Sequence, residues 1–123
     1  MNSFHDEVLE KWGGTDAYKE HAQRTKGYSK DQWDALAAGL DQLMAGFALC
    51  MEQNKQPDSD AVQSQVKLLQ NHITDNFYHC TKEILFGLGQ MYVADERFKT
   101  NIDRHGDGTA NFISRAIAIY CGK

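Results

Sequence analysis

The sequence predicts an all-α domain. Apolar residues recur at three- and four-residue steps along most of the chain, and no alternating strand pattern of useful length appears. A single proline, Pro57, leaves long helices unobstructed. A length of 123 residues is one domain's worth and is long enough to bury a core without staples.

Taken in order, Phe4, Val8, Leu9 and Trp12 fall at helical intervals, so a first helix is expected over residues 4–12. Gly13-Gly14 stops it, and Thr15 is expected to cap a second helix over residues 16–26. Tyr18 is that helix's only large apolar side chain, so it buries little and is expected to be loosely held. Ser29-Lys30-Asp31-Gln32 reads as a capping box ahead of a third helix over residues 30–54. Trp33, Leu36, Leu40, Leu43, Met44, Phe47 and Met51 give that helix one apolar stripe. Ala35, Ala38, Gly39, Ala45 and Gly46 form a row of small residues beside it, which lets a neighbour cross closely or leaves room for a guest.

Residues 54–59 read as a linker, and Ser59 or Asp60 caps a fourth helix buried through Val62, Val66, Leu69, Ile73 and Phe77. Thr81 caps a fifth, carrying Ile84, Leu85, Leu88, Met91 and Tyr92. Gly87 and Gly89 inside it predict close approach to a neighbour. Asp95 starts a sixth helix through Phe98 and Ile102. Residues 104–108 make a turn, and Phe112, Ile113, Ala116, Ile117 and Tyr120 form the last helix.

Composition narrows the function. Hydrophobic residues at 41% and charged residues at 24% exclude a disordered chain. No uninterrupted apolar run approaches a bilayer span, and the first residues lack a signal-peptide succession, so no membrane role is expected. A net charge of −4 with scattered Lys and Arg argues against direct contact with nucleic acid. Cys50, Cys80 and Cys121, odd in number and widely spaced, suit a reducing compartment and a cytoplasmic location.

Chemical motifs are few. His72, His79 and Cys80 raise the thought of a metal or a haem, but no HxxxH or CxxC pair occurs, and no metal or cofactor is expected. The nucleophile, zinc-protease and phosphate-loop signatures are missing, and Asp95-Glu96 is explained by helix capping, so no enzyme is expected. Cys80 stands just before a helix start, where a lowered pKa would raise its nucleophilicity; the plainer reading is a buried small residue. Thirteen aromatic residues remain, among them Trp12, Tyr18, Tyr28, Trp33, Phe77, Tyr78 and Tyr92. Broad apolar faces with a polar handle suit a pocket for a bulky guest, and Met44, Met51 and Met91 add conformable surface.

Three ordered segments carry a resemblance. Residues 12–20, Trp-Gly-Gly-Thr-Asp-Ala-Tyr-Lys-Glu, are similar to the WGxTDAY segment of TipAS-type antibiotic-recognition domains. Residues 24–33, ending in Trp33, resemble the family's RTxxYTxxxW stretch. Residues 77–80, 87–98 and 101–103, followed by Gly108, Phe112 and Ala116-Ile117, continue the match over nearly the whole chain. The resemblance implies the effector-binding domain of MerR-type transcription activators, a globin-like helical fold without haem whose N-terminal helices close over bulky antibiotics, thiopeptides among them. The lid then corresponds to about residues 1–28 and the core to about 29–121. The implied ligand-binding residues are Trp12, Tyr18, Tyr28, Trp33, Met44, His72, Phe77, Tyr78, Met91 and Tyr92. The family's DNA-reading winged helix and coiled-coil helix have no counterpart, so DNA and RNA polymerase are expected only as partners of a full-length regulator. The alternative is a free-standing protein that sequesters drug. Where some members capture ligand through a cysteine, this chain has Gly87, which leaves Cys80 as the remaining candidate for attachment.

Overall fold

The computed structural model describes residues 14–123, with side chains from Lys19 onward. The helix expected over residues 4–12, together with Trp12, lies outside the described residues, and so does the side chain of Tyr18. Six helices follow: α1 (Gly14–Thr25), α2 (Lys30–Glu52), α3 (Asp60–Asn76), α4 (Lys82–Ala94), α5 (Glu96–Asp103) and α6 (Thr109–Tyr120). Among the described residues there is no strand, as the periodicity predicts.

Local chemistry sets most boundaries. Ser29 Oγ accepts the Gln32 amide at 3.2 Å and Gln32 Oε1 accepts the Ser29 amide at 2.9 Å, closing the capping box. Ser59, Thr81 and Asp95 cap α3, α4 and α5 through their side-chain oxygens. At its far end α2 stops two residues short of the expected Asn54. Asn54 adopts φ 61°, and the Asn54 and Lys55 amides donate to the Met51 and Cys50 carbonyls, each at 3.0 Å. That is a Schellman ending, with asparagine in the left-handed position usually held by glycine. One expectation is corrected: α1 already begins at Gly14, so Thr15 lies in its first turn and is not its cap.

The core forms where α2 and α3 lie side by side and α6 packs on both and on α4. Phe47, Val62, Val66, Leu69, Leu85, Ile113 and Ile117 have no exposed surface. Small residues set the crossings. A methyl group at Gly89 would sit 3.2 Å from the Ile117 side chain, and one at Gly39 would sit 3.0 Å from the His72 ring. Gly46 likewise faces Gln65, whose amide donates to the Leu43 carbonyl at 3.0 Å. These pairs run α2 antiparallel to α3.

By length and composition α2 is also apolar enough to cross a membrane, with a mean hydropathy of 1.2, although only 11% of that stretch is buried. Counting uninterrupted apolar runs does not register this, because Asp41 and Gln42 divide the helix. Its inward side belongs to the bundle, where Met44, Phe47 and Ala48 are buried.

Candidate functional site

An open cavity of about 300 Å³ lies between α2 and α5. One wall is a single stripe of α2, formed by Ala37, Leu40, Asp41 and Met44. The opposite wall is α5, through Phe98, Asn101 and Ile102, with Arg104 and His105 just beyond its end. Tyr92 of α4 closes the floor, its ring 5.6 Å from that of Phe98. Tyr92 is 4% exposed, and burial, with a lesser contribution from Cys80, pushes its phenol pKa far up, so it stays a neutral hydroxyl. Mostly apolar walls with a few polar groups at one edge are the usual make-up of a site for a small organic molecule.

The polar edge is tied together. His105 Nε2 lies 2.9 Å from Asp41 Oδ1, and an Arg104 guanidinium nitrogen donates to the same oxygen at 3.3 Å. The His105 hydrogen bond, helped by the charges of His105 and Arg104, holds the Asp41 carboxyl below its ordinary 3.8 against the opposing effect of desolvation. A depressed folded-state pKa contributes stability above the unfolded value, which is lost as pH falls through the folded one. An Asp41→Asn variant is therefore expected to be less stable at neutral pH by no more than about 1 kcal/mol, because the pair is exposed. The difference should close below the carboxylate range, as read from urea midpoints across pH.

A second cluster sits where α1, α2 and the end of α3 meet. Trp33 stacks on Phe77 at 5.8 Å and meets Tyr28 edge-on at 5.4 Å. His72 approaches Phe77 at 6.3 Å, and His21, which is 5% exposed, lies 6.1 Å from Phe77 and 5.7 Å from Tyr78. Among the described residues, polar links also hold α1 down. Arg24 donates to the carbonyls of Thr74 at 2.7 Å and Asp75 at 2.5 Å, and the Tyr28 hydroxyl donates to that of Asn76. Glu20 accepts the His79 amide at 3.0 Å. Carbonyls at a helix C-terminus have no partner within the helix, so they are natural receptors for such donors.

The expected binding residues therefore divide. Met44 and Tyr92 line the cavity. Tyr28, Trp33, His72 and Phe77 form the aromatic cluster. Tyr78 has no exposed surface and belongs to the core, while Met91 packs against the core's edge. Cys80 is 1% exposed, and burial pushes its thiol up to about 12, with Cys121 adding to the effect. The lowered pKa expected from its place before α4 is thus overturned: desolvation outweighs the helix end, and the neutral thiol is a poor nucleophile. All three cysteines are free, and among the described residues no three metal-ligating side chains gather.

Sequence reasoning missed the α5 wall. Phe98 and Ile102 look like any core pair, and the clasp of Asp41 by Arg104 and His105 spans more than sixty residues of chain. It also missed His21, whose ring sits on a helix with almost no apolar pattern to draw attention to it.

Comparison with known proteins adds the identity. The TipAS antibiotic-recognition domain model matches residues 4–120. The HTH-type transcriptional activator mta of Bacillus subtilis is 37% identical over 98% of this chain, and TipA of Streptomyces coelicolor is 34% identical over 94%. This chain spans 46% of either relative, about half their length. Among solved structures, TipAS of a Streptomyces lividans thiopeptide antibiotic multidrug resistance system, in complex with nosiheptide, superposes with a TM-score of 0.80. That match has 33% identity and covers 98% of this chain and 84% of the other. The chain belongs to the TipAS antibiotic-recognition domain family.

Proposed function

We propose that this chain is the drug-sensing part of an HTH-type transcriptional activator and that it binds bulky, largely apolar antibiotics of the thiopeptide class. Its role is binding rather than catalysis, exercised in the cytoplasm where such activators meet DNA. The observation that carries the reading is the stripe on α2. Ala37, Leu40 and Met44 line the cavity, and Trp33, on the same side of the helix, enters the aromatic cluster. Trp33 and Met44 are roughly 16 Å apart at 1.5 Å per residue. A cavity of about 300 Å³ is at the small end for an organic ligand. A macrocycle seated there extends along α2 toward Trp33, where α1 closes over it.

Affinity comes from apolar burial at about 25 cal/mol per Å² of surface removed from water, less the cost of ordering what closes over the ligand. The lid comprises about residues 1–28, and the bonds from Glu20, Arg24 and Tyr28 to the end of α3 and to His79 are its latch. In a complete activator, ligand that binds the closed form more tightly shifts the population toward it, and DNA-bound protein reads that shift.

Hydrogen exchange tests the lid, and tryptophan fluorescence tests the ligand. Adding nosiheptide should perturb emission from Trp12 and Trp33, the chain's two tryptophans. It should also slow amide exchange over residues 16–26, which without ligand should exchange much faster than the middle of α2. Equal protection of α1 and α2 in the free protein would remove the lid. An unchanged emission spectrum across thiopeptides would remove the ligand class.

A further inference from the structure

The side of α2 turned away from the cavity offers a second, different surface. Ala35, Ala38, Gln42, Ala45 and Leu49 recur at helical spacing, and all are exposed. The antiparallel register puts Leu68 of α3 beside this row. Leu49 is 54% exposed and Leu68 is 52% exposed. Acidic residues bracket the strip: Glu52 and Asp60 at one end, Asp31 and Asp75 at the other. Among the described residues none of these four has an ion-pair partner, whereas Asp34 is held by Lys30 and Asp41 by Arg104. Helices α2 and α3 together carry six acidic and two basic side chains. That balance equals the −4 of the whole chain; Asp41 stands on the cavity side, and the four carboxylates without ion-pair partners bracket the uncharged strip.

We infer that the outer α2–α3 face docks a cationic amphipathic helix of a partner protein. Small side chains along α2 let the incoming backbone approach closely, and Leu49 and Leu68 supply the apolar contact. The strip from Ala35 to Leu49 runs roughly 21 Å, and Asp31 and Glu52 beyond its ends stand roughly 31 Å apart along α2, which matches a helix of about twenty residues. Charge decides the partner's chemistry: Lys or Arg near both ends of that helix meets carboxylates at both ends of the strip. The same carboxylates repel nucleic acid and anionic lipid. A second copy docked through this face would set its own acidic ends close to these. The face is separate from the antibiotic cavity, so the two can be tested apart.

The test uses the 123-residue protein and two synthetic twenty-residue helical peptides with the same Leu/Ala centre, one with Lys and one with Glu at its ends. Amide shifts on titration should move around Ala38, Ala45, Leu49 and Leu68 with the Lys peptide only, and added salt should weaken binding. The double variant Leu49→Lys, Leu68→Lys should lose at least about tenfold in peptide affinity while keeping its helical CD signal and its thiopeptide binding. Equal binding of both peptides, shifts confined to Leu40, Phe98 and Ile102, or no binding of either would overturn the inference. So would concentration-dependent dimerisation abolished by the double variant, which points to a second copy. Co-sedimentation with phosphatidylcholine vesicles through Leu49 would likewise overturn it, in favour of a bilayer.

Discussion

An Ala37→Trp variant is expected to lose thiopeptide binding by about a hundredfold or more, equivalent to roughly 2.7 kcal/mol. Ala37 is exposed yet lines the cavity, so an indole at that position occupies the volume a ligand needs without disturbing the core. The cost to the helix is a fraction of a kcal/mol in propensity, so the fold should persist with an unchanged far-UV spectrum. Ala38→Trp is the control. It adds the same side chain one residue along, on the outer side of α2, and should leave affinity within about twofold. Calorimetric titration of both variants with one thiopeptide settles the placement, and equal affinities would put the ligand elsewhere.

The second large effect concerns stability. Phe47 has no exposed surface and sits on α2 within the buried cluster. Phe47→Ala removes the whole phenyl ring from a fully buried position on a helix that packs on both α3 and α6, and leaves a void in the core. The loss should be about 3–5 kcal/mol, a large share of the 5–15 kcal/mol available to a domain. Guanidinium unfolding with an unchanged slope and a lower midpoint is the expected record. A drop below 1 kcal/mol would mean that the bundle repacks around position 47.

These two variants also mark what the sequence discloses. Phe47 is legible because helical periodicity repeats every few residues, and the caps at Ser29, Ser59, Thr81 and Asp95 are legible because each acts within one turn. The family resemblance extends that reading to the whole chain. The cavity is harder. Its α2 wall follows from the stripe, but its α5 wall depends on how a two-turn helix returns across the bundle, which no local rule encodes. Cys80 shows the same limit from the other side. Its position before a helix start is visible in the sequence, whereas the burial that reverses the effect comes from the side chains folded around it. The exposed half of α2 escapes for a different reason: small residues read as neutral spacers until the fold shows which of them face outward.

The way α1 is fastened has an evolutionary consequence. Arg24 and Tyr28 bond to the carbonyl oxygens of residues 74–76, atoms that every amino acid supplies alike. The receiving end can therefore drift in sequence without loosening the grip, provided the helix still ends there. Heritable tuning of how tightly this domain shuts falls on the side chains that reach across, Arg24 and Tyr28 together with Glu20, which receives the His79 backbone amide.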